Sequence, residues 1–163
     1  MVSKRLIREA GHRRKFLAVI DETPECERAV AYASRRTKST GGALVLLFVI
    51  ESSDFQHFLG VEGVMRQEAT ATAQAALDQA APGVRNRHGI EPELVIREGN
   101  KTSEIHKLIE EDQDIAILVL AAGAGKEGPG PLVASIAGKA AAFPIPVTIV
   151  PYNLTDEDID SLA

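Results

Sequence analysis

The glycines between Ala121 and Ser135 carry the clearest chemical promise, in the run Ala121-Ala-Gly-Ala-Gly-Lys-Glu-Gly-Pro-Gly-Pro-Leu-Val-Ala-Ser135. Glycine lets backbone approach a ligand closely, and successive N–H groups in a tight loop form a nest for an anion. A helix starting after the loop would aim its positive end at the same point, so a phosphate group is the natural guest. Turn glycines in a polar loop are the competing explanation, since such loops commonly follow strands. Two phosphate-loop patterns fail here. Gly123-Ala-Gly125-Lys-Glu-Gly128 fits G-x-G-x-x-G letter for letter. However, Pro129 and Pro131 delay the helix, the stretch sits at the last crossover, and no acidic residue ends the strand after it. The nucleoside-triphosphatase loop needs a glycine five residues before Gly125 and a Ser or Thr after the lysine, where Leu120 and Glu127 stand.

Other reactive side chains are scattered. Asp21 directly follows the apolar run Phe16-Leu-Ala-Val-Ile20, where a carboxylate is also stabilised simply by a nearby helix start. Phosphoacceptor signalling domains carry their aspartate after the third strand, and Arg97-Glu98-Gly99 stands there instead. His12, His57, His88 and His106 have no metal-ligand spacing. No serine lies in a G-x-S-x-G elbow, and Cys26 falls on the inner face of a helix, so no nucleophile has its base. Lys126 and Glu127 can touch phosphate, although loop tips carry such residues for solubility. Phe55, Phe58 and Leu59 form an apolar patch that covers a ligand, meets a partner or folds back onto the core.

The elements that must position these residues alternate from end to end. Strands are expected at Phe16–Ile20, Leu44–Ile50, Leu94–Ile96, Ile115–Leu120 and Val147–Val150, as short apolar runs. Between them, Thr23 reads as an N-cap with Pro24 first in a helix whose Cys26, Ala29, Val30 and Ala33 share one face. Gly41-Gly42 ends that unit. A second helix is expected from Val61 to about Ala80, with Met65 and an alanine stripe as packing and Pro82-Gly83 as its stop. Two more cover Thr102–Glu111, with Ile105, Leu108 and Ile109 facing inward, and Leu132–Ala142. This βαβα order implies a single α/β domain: a doubly wound, five-stranded parallel sheet with helices on both faces. Ligands bind such sheets at the C-terminal ends of the strands, near the point where strand order reverses.

The 163 residues suit one domain, and 45% hydrophobic with 25% charged residues is ordinary globular composition. A net charge of −5 argues against a nucleic-acid partner. Lys4, Arg5, Arg8, Arg13, Arg14 and Lys15 read as a solvated basic arm at 1–14, because no aromatic residue is interleaved with them. Residues 152–163 read as a loose acidic tail. One cysteine excludes an intramolecular disulfide, and the N-terminus lacks the apolar core of a signal peptide. No apolar run approaches the roughly 18 residues of a membrane span, so a cytoplasmic protein with no membrane partner is expected.

The order and spacing of these pieces resemble the universal stress protein family from about Lys15 to Pro151. Phe16-Leu-Ala-Val-Ile-Asp21 with Thr23-Pro-Glu-Cys-Glu-Arg-Ala29 is similar to the family's opening strand, acidic residue and first helix. Leu46-Leu-Phe-Val49 is similar to its second strand, and Gly99-Asn100 before Ile105 to its Gly-Asp turn. Ala134-Ser-Ile-Ala-Gly-Lys139 and Phe143-Pro-Ile-Pro-Val-Thr-Ile-Val-Pro151 resemble its Gly-Ser helix start and closing strand. The resemblance implies an adenine nucleotide alpha hydrolase-like fold over 15–151, a homodimer built on Val147–Val150, and in some members an adenine-nucleotide site. In those members the positions of Asp21 and Val49 meet adenine and ribose, and a G-x2-G-x9-G-[S/T] loop holds the phosphates.

Here that loop departs from the family. Anchoring on Ser135 aligns the helix and closing strand but puts Ala121, Ala124 and Ala134 at the glycine positions. Anchoring on Gly125 and Gly128 reaches Gly138, with Lys139 in place of the hydroxyl residue. If the three positions need positive φ, alanine costs about 1 kcal/mol or more at each. The loop must then take another shape, which Gly123, Gly125, Gly128 and Gly130 provide with amides still free for phosphate. Pro129 and Pro131 remove two donors. The expected nucleotide-binding set is therefore Asp21, Thr23, Val49, Gly123, Gly125, Gly128, Gly130 and Ser135, with ATP, alone or with Mg, as ligand of a stress-response protein. With no general base or arginine finger evident, catalysis would amount at most to slow hydrolysis. The alternative is a homodimeric interaction module that keeps the fold without the nucleotide. The three alanines favour it, while Asp21, Ser135 and the four glycines favour the nucleotide; an enzyme acting on another small anion is a more distant third.

Overall fold

The alternating apolar runs pair side by side in one sheet, seen in a computed structural model that describes residues 3–51, 62–125, 128–139 and 142–163. The strands are β1 (Lys15–Ile20), β2 (Ala43–Ile50), β3 (Glu93–Glu98), β4 (Ile115–Ala122) and β5 (Val147–Pro151). They lie in the order β3-β2-β1-β4-β5, and every pairing is parallel. Between and after them run α1 (Cys26–Thr40), α2 (Glu62–His88), α3 (Lys101–Glu111), α4 (Pro131–Ala137) and α5 (Asp156–Leu162).

Alternation along each strand sends successive side chains to opposite faces, so a strand covered on both faces must be apolar throughout. In β1, Phe16, Ala18 and Ile20 join Ala29, Val30 and Ala33 of α1 and Leu77 of α2 on one face. Leu17 and Val19 join Ile105 and Ile109 of α3 and Ile136 of α4 on the other. Strand β3, at the sheet edge, carries Glu93, Arg97 and Glu98 and buries none of its side chains fully. No described helix is long and apolar enough to cross a membrane.

Four local expectations give way to the structure. Thr23 does not cap α1: its N–H donates to Asp21 Oδ1 at 2.9 Å and its hydroxyl donates to the same oxygen, so the chain makes an Asx-type turn and the helix begins at Cys26. Helix α2 runs through Pro82 to His88, because Ala81 and Val84 are buried, Val84 in the core shared with β1 and β2, and carry the helix past the lost amide bond. Helix α4 stops at Ala137, where the Gly138 N–H closes on Ala134 O at 3.0 Å. The acidic tail is not loose: α5 has a capping box, with Asp158 N donating to Thr155 Oγ1 at 3.1 Å and Thr155 N donating to Asp158 Oδ2 at 2.9 Å.

The basic arm is not simply solvated either. Arg5 NH1 donates to the carbonyls of Ile109 (2.7 Å), Asp112 (3.1 Å) and Ile115 (3.1 Å). The last carbonyls of a helix have no partner within it, and α3 has no basic residue in its own last turn, so the arm supplies that cation. Lys15 Nζ adds ion pairs to Asp112 (2.8 Å) and Glu93 (2.9 Å).

Candidate functional site

Strand order reverses at β1, whose neighbours β2 and β4 lead to opposite halves of the sheet. A cleft of about 400 Å3 opens at the C-terminal ends of these three strands, where a doubly wound sheet holds its ligands. Its apolar floor comes from buried residues near the ends of the strands: Val19 of β1, Phe48, Val49 and Ile50 of β2, and Leu120 of β4. Asp21 and Thr23 form one wall immediately after β1. Asp21 spends Oδ1 on both groups of Thr23, whereas Oδ2 makes no hydrogen bond among the described residues. A carboxylate oxygen held in this way on a fixed turn can accept hydrogen bonds from a ligand's hydroxyls.

The expected site residues divide between two neighbouring spaces. Asp21, Thr23, Val49 and Gly130 line the cleft, while Gly123, Gly125, Gly128 and again Gly130 line an adjoining hollow floored by Pro24, Arg28 and Tyr152. Ser135 lines neither; it is exposed on α4, its Oγ 3.5 Å from Thr102 Oγ1. Lys126 and Glu127 of the loop, and the patch of Phe55, Phe58 and Leu59, lie outside the described residues.

The loop takes a shape that alanine at 121, 124 and 134 tolerates. Ala121 is in β4 and Ala134 in α4, and no non-glycine residue among those described has a positive φ. The left-handed turns fall instead on Gly128 (φ 93°) and Gly130 (φ 108°). This closure spends amides that a phosphate would need: Gly123 N–H donates to Pro129 O (3.0 Å) and Gly128 N–H donates to Gly125 O (3.2 Å). The expectation of free glycine amides fails at those two positions. Helix α4 also spans only seven residues and opens on Pro131, so it has little positive end to offer.

Two lining residues escaped sequence reasoning. Lys101 enters the cleft from the first position of α3, whose N-cap is Asn100, with Oδ1 accepting from Ser103 N at 3.0 Å. The Gly99-Asn100 turn at the end of β3 marked that corner, and a cation one residue further on was a readable signal. Glu25 is the second. It stands at the start of α1 as backbone N-cap, its carbonyl accepting from Arg28 N at 2.9 Å. Its carboxylate lies against the loop: a Cβ added to Gly123 would be 2.7 Å from Oε1 and one added to Gly130 3.9 Å. Nothing in local sequence pattern foretold it, because the approach depends on how the loop after β4 folds back over α1.

The cleft is acidic, lined by Asp21, Glu22, Glu25 and Glu51 against Lys101. Cys26 is half-buried, and burial pushes its thiol pKa up, so it is a poor nucleophile at neutral pH; Sγ donates to the Asp21 carbonyl at 3.5 Å. Among the described residues no group of three or more His, Cys, Asp or Glu side chains could hold a metal ion.

The model of the universal stress protein family matches residues 12–151. No curated protein matches the chain. Among solved structures, the universal stress protein UspA from Lactobacillus plantarum is similar with a TM-score of 0.71 at 17% identity, over 86% of this chain and 99% of that one. A universal stress protein family protein from Arabidopsis thaliana with AMP bound has a TM-score of 0.59 at 18% identity, over 88% and 94% of the two chains. The universal stress protein from Archaeoglobus fulgidus in complex with dAMP has a TM-score of 0.53 at 15% identity, over 84% and 97%.

Proposed function

Since the chain belongs to the universal stress protein family, we propose that it is a stress-response or regulatory protein that binds an adenine nucleotide in the cleft beyond β1, β2 and β4. The observation that carries this reading is Asp21, with Oδ1 tied to Thr23 and Oδ2 without a hydrogen bond among the described residues, in the cleft that Phe48 and Val49 floor. A purine can lie on that floor while ribose hydroxyls donate to the carboxylate. AMP and dAMP in relatives of the same fold support the ligand class. Within that class the proposed ligand extends to ATP, whose third phosphate would point toward the loop at Gly123–Gly130 and whose phosphates would carry any Mg2+. Isothermal titration of nucleotide-stripped protein should give micromolar AMP binding, weakened about tenfold or more by Asp21→Ala, which removes a charge-assisted hydrogen bond. No heat with millimolar AMP or Mg-ATP, from folded protein, would favour the rival reading of an interaction module without nucleotide. The spent amides of Gly123 and Gly128 are the observation on that rival's side.

The dimer belongs to the same reading. Among the described residues strand β5 pairs only with β4 and leaves its other edge open, with Ile149 of that strand 42% exposed and Tyr152 52% exposed just beyond. Open edges invite pairing across a two-fold axis. Sedimentation should give a dimer that Ile149→Lys dissociates, and a monomer at high micromolar concentration would overturn it.

A further inference from the structure

Resting on that nucleotide reading, we propose that Lys101 binds the first phosphate of the nucleotide and gives the cleft a preference for AMP over adenosine. The chain fixes where this lysine stands. Gly99 N–H donates to Ile50 O at 2.8 Å, which ties the turn after β3 to the end of β2, next to Val49. Asn100 then caps α3, and Lys101 is the first residue of that eleven-residue helix. Beside it, Thr102 Oγ1 lies 3.5 Å from Ser135 Oγ, so the first turn of α3 adjoins α4, whose Pro131, Leu132 and Val133 also line the cleft. The backbone of Lys101 is thus held in place, while its four-carbon stem lets the ammonium follow a phosphate.

Asp21 and Lys101 reach the cleft from opposite faces of the sheet. Asp21 leads into α1, which packs with Phe16, Ala18 and Ile20, whereas α3 packs with Leu17 and Val19. The Lys101 side chain makes no hydrogen bond or ion pair among the described residues, so no carboxylate of the protein has claimed its ammonium there. A carboxylate on one side and an ammonium on the other suit a ligand with donors at one end and negative charge at the other. Ribose hydroxyls donate to Asp21, and the phosphate accepts from the three N–H groups of Lys101. Glu22, Glu25 and Glu51 line the same cleft, so a phosphate in it is repelled unless a cation lies beside it. Among the described residues Lys101 is the one lysine or arginine that lines this space.

The test is titration of nucleotide-stripped protein with adenosine and with AMP in EDTA, on the wild type, Lys101→Ala, Lys101→Arg and Lys126→Ala, with circular dichroism to confirm folding. The wild type should bind AMP about tenfold or more tightly than adenosine. Lys101→Ala should bring AMP to within about threefold of adenosine while leaving adenosine itself within about threefold of wild type. Lys101→Arg should retain part of the preference, because it keeps the charge. Equal wild-type affinities, or a preference that survives in folded Lys101→Ala, would overturn the inference while leaving binding at Asp21 intact. Loss of that surviving preference in Lys126→Ala would then move the phosphate to the glycine loop. Absence of binding by both adenosine and AMP would overturn the nucleotide reading itself, and the inference with it.

Discussion

Replacing Ile159 with alanine is expected to lower stability by about 2–4 kcal/mol, the range for a fully buried isoleucine whose cavity closes only in part. Ile159 is 2% exposed and is the only fully buried side chain of α5. A seven-residue helix is far too short to persist alone in water, so α5 exists only because it docks. Its docking has a polar rim. Asp156 accepts from Arg28 of α1 and from Arg87 of α2, each at 2.9 Å, and these guanidiniums hold its carboxyl below the usual aspartate range. Such half-exposed pairs contribute little compared with the buried side chain. Urea unfolding followed by circular dichroism would measure the change. A loss below about 0.5 kcal/mol would mean that residues 152–163 behave in solution as the loose tail that their composition suggests.

The strands and the cleft's location were readable because both follow from burial. A strand covered on two faces has to be apolar at every position, so β1, β2 and β4 stand out as runs, and the alternation of runs with helices fixes where strand order can reverse. Asp21 and Val49 follow from the same logic, each placed by the end of a strand. The features that were hidden depend on contacts distant in sequence. Arg5 lies about a hundred residues before the carbonyls it serves, and no local pattern links an arginine in a basic arm to the end of α3. Pro82 is a helix breaker by local rules, and only the burial of Ala81 and Val84 overrides them. Thr155 and Asp158 did carry a readable signal, since a hydroxyl and a carboxylate three residues apart form a capping box, but the run of acids around them resembles solvated chain. The glycines of the loop marked a turn; which of their amides remain available was settled by how the loop closes on itself and on Glu25.

Gly41 and Gly42, adjacent and alike in sequence, are expected to respond differently to alanine, and the second should be the more damaging. Gly41 ends α1 in the left-handed conformation, φ 67°, with open space around its Cβ position. Alanine there costs about 1 kcal/mol, the strain of that conformation alone. At Gly42 the obstacle is backbone. An added Cβ would collide with the carbonyl oxygen of Arg14, which accepts from Ala43 N at 2.9 Å where the pairing of β1 with β2 begins. Relief requires moving that carbonyl and loosening its bond to a partly buried amide, so Gly42→Ala should cost about 2–3 kcal/mol. Equal losses, or a larger one at Gly41, would show that the start of β1 yields freely. The register beyond is harder to move: Lys15 to Ile20 align with Ala43 to Phe48, and a slip of one residue would turn every buried side chain of β1 to the wrong face. The strain should therefore be absorbed by the arm at Arg14, and a folded Gly42→Ala protein should keep Asp21 and Val49 in place. Stability and ligand affinity would separate at this position, one falling while the other holds, because the collision is at one end of the strand pair and the cleft is at the other.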